Sequence, residues 1–222
     1  MEEAKIKNVL AGRNVDIEYD QMIQENWLTN EIAKEHVQSD NMKIWVWVRK
    51  RPIFPKEESS GDIDWVSVAN PHCRVHEPKI KVDGITKYVE NHDFNFDNSF
   101  NEKESTEIVY QTMIYPLMAS LFEGGVVTCF AYGQTGSGKT FTMKGIQDEA
   151  INEIFKQANP NSSNQTSAIY ISFFEIYRGR VFDLLNDKEK LEIMEDHNNE
   201  IQVQGLQEWY VNDSDELQTY IK

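Results

Sequence analysis

An α/β fold, a sheet carrying helices on both faces around a glycine-rich loop, is what three features of this sequence predict. The first is an apolar, β-prone run, Val126, Val127, Thr128, Cys129, Phe130, Ala131 and Tyr132, that feeds a glycine-rich turn and then a helix-compatible stretch. The second is a pair of further apolar runs at 44–48 and 168–174, which read as buried strands. The third is helical spacing on both sides of the loop. Apolar residues fall at 109, 113, 114, 117, 118, 121 and 122 before it, and at 146, 150, 151, 154, 155 and 158 after it. Strands and helices that alternate in this way build a sheet covered on both faces.

The glycine-rich turn is Gly133, Gln134, Thr135, Gly136, Ser137, Gly138, Lys139 and Thr140, a G-x-x-x-x-G-K-[ST] phosphate loop in strand–loop–helix context. Gly133, Gly136 and Gly138 let the backbone turn its N–H groups toward phosphate oxygens. Lys139 supplies a mobile charge for the β- and γ-phosphates, and the Thr140 hydroxyl is a candidate Mg²⁺ ligand. The helix that follows presents its positive end to the anion. With glycine at about 7% of residues, chance would align the four fixed positions roughly once in a hundred chains of this length.

The remaining elements follow in order. Residues 1–42 are polar and mostly acidic and read as a solvated arm, with an amphipathic helix around Tyr19, Met22, Ile23 and Trp27. This helix lacks the basic face of a membrane-surface binder. The strand at 44–48 is closed by Pro52 and Pro55. Residues 65–68 and 74–76 are short strands of a subsidiary sheet, and the alternation of Phe94, Phe96 and Phe100 suits a strand leading into a loop. His72, Cys73 and His76 lack a second Cys/His pair at zinc spacing, so they read as surface histidines beside a half-buried thiol. Pro116 should break the helix at 107–122, and Gly145 should interrupt the helix after the loop. Residues 159–163 form a loop, and Arg178, Gly179 and Arg180 a turn. Residues 193–203 form a hairpin around His197, and Asp213, Ser214, Asp215 and Glu216 start a helix.

Composition narrows the function classes. The 222 residues suit one domain, or one domain with an N-terminal extension, and 40% hydrophobic with 11% aromatic content is ample for a core. A net charge of −15 opposes non-specific attraction to nucleic acid or acidic membranes. No run approaches the ~20 apolar residues of a membrane span. The first residues lack the order of a secretory signal. Cys73 and Cys129 make no disulfide framework, so a reducing, intracellular compartment is expected.

Taken with its flanks, the loop resembles that of a kinesin motor domain: residues 130–143 run from Phe130 through Lys139 and Thr140 to Phe141, Thr142 and Met143. Val48, Arg49, Lys50, Arg51 and Pro52 resemble the family's R-x-R-P strand. Phe173, Phe174, Glu175, Ile176 and Tyr177, then Val181, Phe182, Asp183, Leu184 and Leu185, match its fourth-strand pattern, and residues 205–208 also fit. The resemblance implies a P-loop NTPase of kinesin type with a mixed central sheet. Residues 1–42 would be a neck-like extension and 43–222 the N-terminal portion of the motor. It implies ATP and Mg as cofactors, with nucleotide contacts from Gly133, Gln134, Thr135, Gly136, Ser137, Gly138, Lys139, Thr140 and Phe141. Arg49, Arg51 and Pro52 would flank adenine. It implies tubulin as partner and a cytoplasmic, microtubule-associated location.

Residues 76–88, with Lys81, Val82 and Asp83 at their centre, resemble the finger of the microtubule-depolymerising kinesin-13 motors, whose tip contacts tubulin; Gly84 looks like an insertion at its base. The loop between Met143 and Ala150 is short for the family and would leave one wall of the adenine site open. Neither the switch I pattern N-x-x-S-S-R-S-H nor the switch II pattern D-x-x-G-x-E occurs. The resemblance therefore implies a phosphate cradle without machinery for triggered hydrolysis and names no catalytic residue. The alternative is a non-catalytic module that binds nucleotide or tubulin.

Overall fold

The computed structural model describes residues 15–29, 32–38, 43–158 and 167–221, in two units, 1–146 and 147–222. In the first unit, α1 (Ile17–Asn26) starts at Asp16, whose carboxylate accepts the Tyr19 N–H at 3.4 Å. Strand β1 (Trp47–Arg49) leads through α2 (Pro55–Ser60) to β2 (Val66–Ala69), β3 (His72–Ile80), β4 (Lys87–Asn95) and β5 (Asn98–Phe100). β2, β3 and β4 form an antiparallel sheet in which β3 and β4 pair along their whole length, from His72 opposite Asn95 to Ile80 opposite Lys87. β1 and β5 pair in parallel, Trp47 opposite Asn98. Phe100 is fully buried between the His36 ring, stacked at 4.4 Å, and the Trp47 ring, edge-on at 5.8 Å.

Ser105 caps α3 (Thr106–Met113) by accepting the Ile108 N–H at 3.3 Å. Pro116 lies in a 3-10 turn, Tyr115–Leu117, between α3 and α4 (Met118–Phe122), so the expected break is present. The long helix α5 (Lys139–Ala158) contains the unit boundary. In the second unit, β6 (Ile169–Ile171) pairs with β11 (Trp209–Val211). β7 (Phe174–Tyr177), β8 (Arg180–Asp183), β9 (Glu189–Glu195) and β10 (Ile201–Gln204) form an antiparallel sheet. α6 (Ser214–Ile221) places Leu217 with Val211 and Ile151 in a core joined by Phe155, Ile169 and Tyr220. The turn at Arg178 and Gly179, both at positive φ, and the hairpin around His197 form as expected. The expected loop at 159–163 lies outside the described residues.

Several expectations are corrected. Residues 126–132 are not a strand: no described strand pairs with them, and Val126 and Phe130 are 93% and 86% exposed. A β-prone run becomes a strand only when a neighbour takes its N–H and C=O groups. The run at 44–48 contributes only its end to β1, and Ile44 is exposed, because β5 covers residues 47–49 alone. The run at 168–174 is split between β6 and β7, with Tyr170 exposed.

Gly145 does not interrupt α5, and residues 143–150 are helix rather than a short loop. His76 is buried, not on the surface: Nε2 meets Ser67 Oγ at 2.9 Å, Nδ1 meets Asn91 Oδ1 at 2.7 Å, and the ring stacks on Trp27. Nor is the described part of the N-terminal arm merely solvated. Ile23 is fully buried, the Tyr19 hydroxyl donates to the Lys79 carbonyl at 3.0 Å, and Lys87 pairs with Asp16 at 2.7 Å. The apolar side of α1 has found a sheet to cover.

Candidate functional site

The glycine loop owes its shape to backbone freedom. Gly133, Gly136 and Gly138 have φ of +149°, +83° and +95°, values that side chains resist. A Cβ on Gly133 would lie 2.6 Å from Ser137 Oγ, so that position must stay bare. The Ser137 N–H donates to the Gln134 carbonyl at 3.2 Å, and α5 begins at Lys139. The Lys139 ammonium donates to the carbonyls of Gly133 at 2.7 Å and Gln134 at 2.8 Å. Thr140, the second residue of the helix, is exposed. Positive-φ glycines, a helix N-terminus, a mobile ammonium and an open hydroxyl form a donor set that fits a magnesium-bound polyphosphate.

Beside the loop lies a cavity of about 350 Å³ that brings Arg49, Arg51, Pro52 and Phe141 together and meets the loop at Ser137 and Gly138. Arg49 donates from Nη1 to Thr106 Oγ1 at 2.8 Å and to Thr142 Oγ1 at 3.1 Å, and from Nη2 to the Glu104 carbonyl at 3.1 Å. Its guanidinium carbon lies 5.4 Å from the centre of the Phe141 ring. Burial pushes Arg49 below its ordinary pKa, against the opposing charge of Glu104. Arg51 is engaged differently. Both its terminal nitrogens bind the Glu57 carboxylate, at 2.8 and 2.6 Å, and this pairing raises its pKa. Glu57 also accepts the Phe54 N–H at 2.8 Å, tying the arginine to the first turn of α2. Thr106, Thr142 and Glu104 escaped sequence reasoning. Thr106 and Glu104 carry no motif, Thr142 lies in the kinesin-like stretch 130–143 with no role assigned to it, and the three stand 57, 55 and 93 residues from Arg49.

Lys81, Val82 and Asp83 lie apart from this cavity, at the tip of the β3–β4 hairpin, where Val82 is fully exposed and Ile85 nearly so. Asp83 Oδ1 accepts the N–H groups of Ile85 and Thr86, at 2.9 and 2.8 Å. Its bonds, first of all that from the Thr86 hydroxyl, hold the carboxyl below the usual range. Gly84 is in the tip, not at the base: its φ is +72° and its N–H donates to the Lys81 carbonyl at 2.9 Å, which closes the turn. Nearer the base, Glu77, Glu90 and His92 converge at metal-ligand spacing, but Lys79 already binds both carboxylates, which makes the group an ion-pair network.

A family model described as the kinesin motor domain matches residues 49–222. Among solved structures, the chain is similar to a KIF14 dimer in its two-heads-bound state, with AMP-PNP, in complex with a microtubule. The identity is 28% and the TM-score 0.68, over 82% of this chain and 53% of that one. The chain thus spans about half the length of the solved motor chain it matches.

Proposed function

The chain belongs to the kinesin motor-domain family, and on that premise we propose that it is the nucleotide-binding part of a microtubule motor whose ligand is Mg-ATP. The observation that carries this reading is the glycine loop at the head of α5, with a cavity beside it that gathers Arg49, Arg51, Pro52 and Phe141. In this reading the N–H groups of residues 133–139 hold the phosphates. Lys139 exchanges its bonds to the Gly133 and Gln134 carbonyls for phosphate oxygens. Thr140 would hold the magnesium ion, which when bound neutralises charge on the phosphates. Arg49 and Phe141 receive the base, with Arg51 and Pro52 on the rim.

Residues 1–42 are the neck-like extension of this motor and 43–222 the N-terminal portion of its motor domain. Lys81, Val82 and Asp83, held out at the end of a fully paired hairpin, are its contacts with tubulin, in the manner of a kinesin-13-like depolymerase. The microtubule and AMP-PNP in the KIF14 structure support tubulin as partner and nucleotide as ligand. A cytoplasmic, microtubule-associated location follows from that partner.

Titration with a fluorescent Mg-ATP analogue tests the core of the reading. The chain should bind, and Lys139→Ala should weaken binding at least about tenfold, as loss of a charged hydrogen bond to phosphate requires. Equal affinity in the two proteins would remove the nucleotide assignment. One observation favours a second reading, a module that binds without turnover: neither switch pattern is present in these residues. Steady-state ATPase measured with and without microtubules separates the two. Microtubule-stimulated turnover by the 222-residue chain would contradict the second reading, and negligible turnover with intact binding would support it.

A further inference from the structure

We propose that close contact between Gly145 and Thr106 fixes Arg49 in the base cavity, which makes both of them positioning residues for the adenine end of the ligand; the inference rests on the nucleotide reading above. Glycine is among the least favourable residues within a helix, so its presence inside α5 calls for a local reason. A Cβ at Gly145 would lie 2.6 Å from Thr106 Cγ2 and 3.1 Å from Thr106 Cβ, closer than side chains approach. Thr106 has little room to yield. It is the first residue of α3, whose first turn is held by the Ser105 cap, and its β-branched side chain has few rotamers.

The same threonine directs Arg49. One guanidinium nitrogen bridges Thr106 Oγ1 on α3 and Thr142 Oγ1 on α5, and Thr142 lies one turn before Gly145. One terminal nitrogen can give an N–H to each hydroxyl only where the two helices approach closely, and the bare Cα of Gly145 permits that approach. The Glu104 carbonyl completes the clamp and leaves the guanidinium beside the Phe141 ring. Alanine at 145 would push Thr106 aside or turn its hydroxyl away and release the arginine. The phosphate loop, which starts its own contacts at Gly133, would be untouched.

The test compares binding of Mg-ATP with binding of magnesium tripolyphosphate, which has the phosphates and no base, in the full 222-residue chain. Gly145→Ala should lose about tenfold in Mg-ATP affinity, the loss expected for one charge-assisted hydrogen bond, and keep its tripolyphosphate affinity. Thr106→Ser removes Cγ2, the atom that would collide, and retains the hydroxyl. The double variant T106S/G145A should therefore bind Mg-ATP within about twofold of T106S alone, and it decides the question if Gly145→Ala does not fold.

Three results would overturn the inference and leave the nucleotide reading intact. They are wild-type Mg-ATP affinity in Gly145→Ala, parallel loss of both ligands in that variant, or an undiminished effect of G145A in the T106S background. A wild-type chain that binds neither ligand overturns both.

Discussion

Two stretches of the first unit have similar strand-forming sequences and opposite fates. The β3–β4 hairpin pairs nine residues against nine, with a tip whose carboxylate Asp83 ties up its own backbone, and it gains α1 as a cover. Residues 126–132, if anything richer in β-branched and aromatic side chains, pair with no described strand, and all but the half-buried Val127 and Cys129 are exposed. The difference lies in where the partners are. β3 finds β4 across a tip of six residues, whereas the run before the glycine loop has no complementary edge close by in sequence. Strand propensity expresses fit to a neighbour more than a preference of the backbone.

The largest break in this comparison should come from core truncation. Phe100→Ala, which removes a ring packed between His36 and Trp47, should cost about 3–5 kcal/mol in denaturant unfolding. Phe130→Ala, in the open run, should stay within about 0.5 kcal/mol. Comparable losses would mean that residues 126–132 are packed after all.

A smaller effect lies in the polar network that docks α1. The Leu28 N–H donates to Ser67 Oγ at 3.2 Å, Ser67 meets His76, His76 meets Asn91, and the Asn91 amide donates to Asn26 at 2.9 Å. Asn91→Ala leaves the buried imidazole without one partner and should cost about 1–3 kcal/mol. Hydrogen exchange should show the loss along α1 and β4, with residues 126–132 unaffected.

Acid should act on the same network. Burial pushes the His76 imidazole below its ordinary value, against its bond to Asn91. Nearby Arg74 lowers it further, and Asp64 and Asp93 raise it. The unfolded chain therefore binds a proton at higher pH than the folded one. This contribution to stability is complete above about pH 6.5 and is lost as pH falls through the lowered folded value. Unfolding midpoints measured across that range should fall with pH in the wild type. They should fall less steeply in His76→Gln, and an equal slope would deny His76 this role. A more local effect belongs to the tip: Gly84→Ala, at φ +72° with open space around it, should cost about 1–2 kcal/mol of local strain and leave the rest of the sheet unchanged.

What could be read from the sequence follows the same division. The glycine loop, the break at Pro116, the turn at Arg178 and Gly179, and the helix start at Asp213 are local signals, each set by a few neighbouring residues, and all are present. The cavity beside the loop is legible only through Arg49, Arg51, Pro52 and Phe141, which lie in stretches that resemble the family. Thr106, Thr142 and Gly145 matter because of who meets them in space, and no periodicity marks a threonine that will receive an arginine. Propensity alone speaks against glycine inside a helix and predicts a break at Gly145; the reason it is tolerated is a neighbour 39 positions earlier. The burial of His76 cannot be read from its neighbours in sequence, because Ser67, Asn91 and Trp27, which make it tolerable, come from three separate segments.

The central claim is that residues 133–140 were shaped to hold the phosphates of a nucleotide, and amide hydrogen exchange with and without Mg-ATP tests it most directly. Addition of Mg-ATP should slow exchange at 133–140 and leave the hairpin tip at 81–84 unchanged, and Lys139→Ala should abolish the protection. Exchange at the loop that is indifferent to Mg-ATP in the wild-type chain would contradict the account.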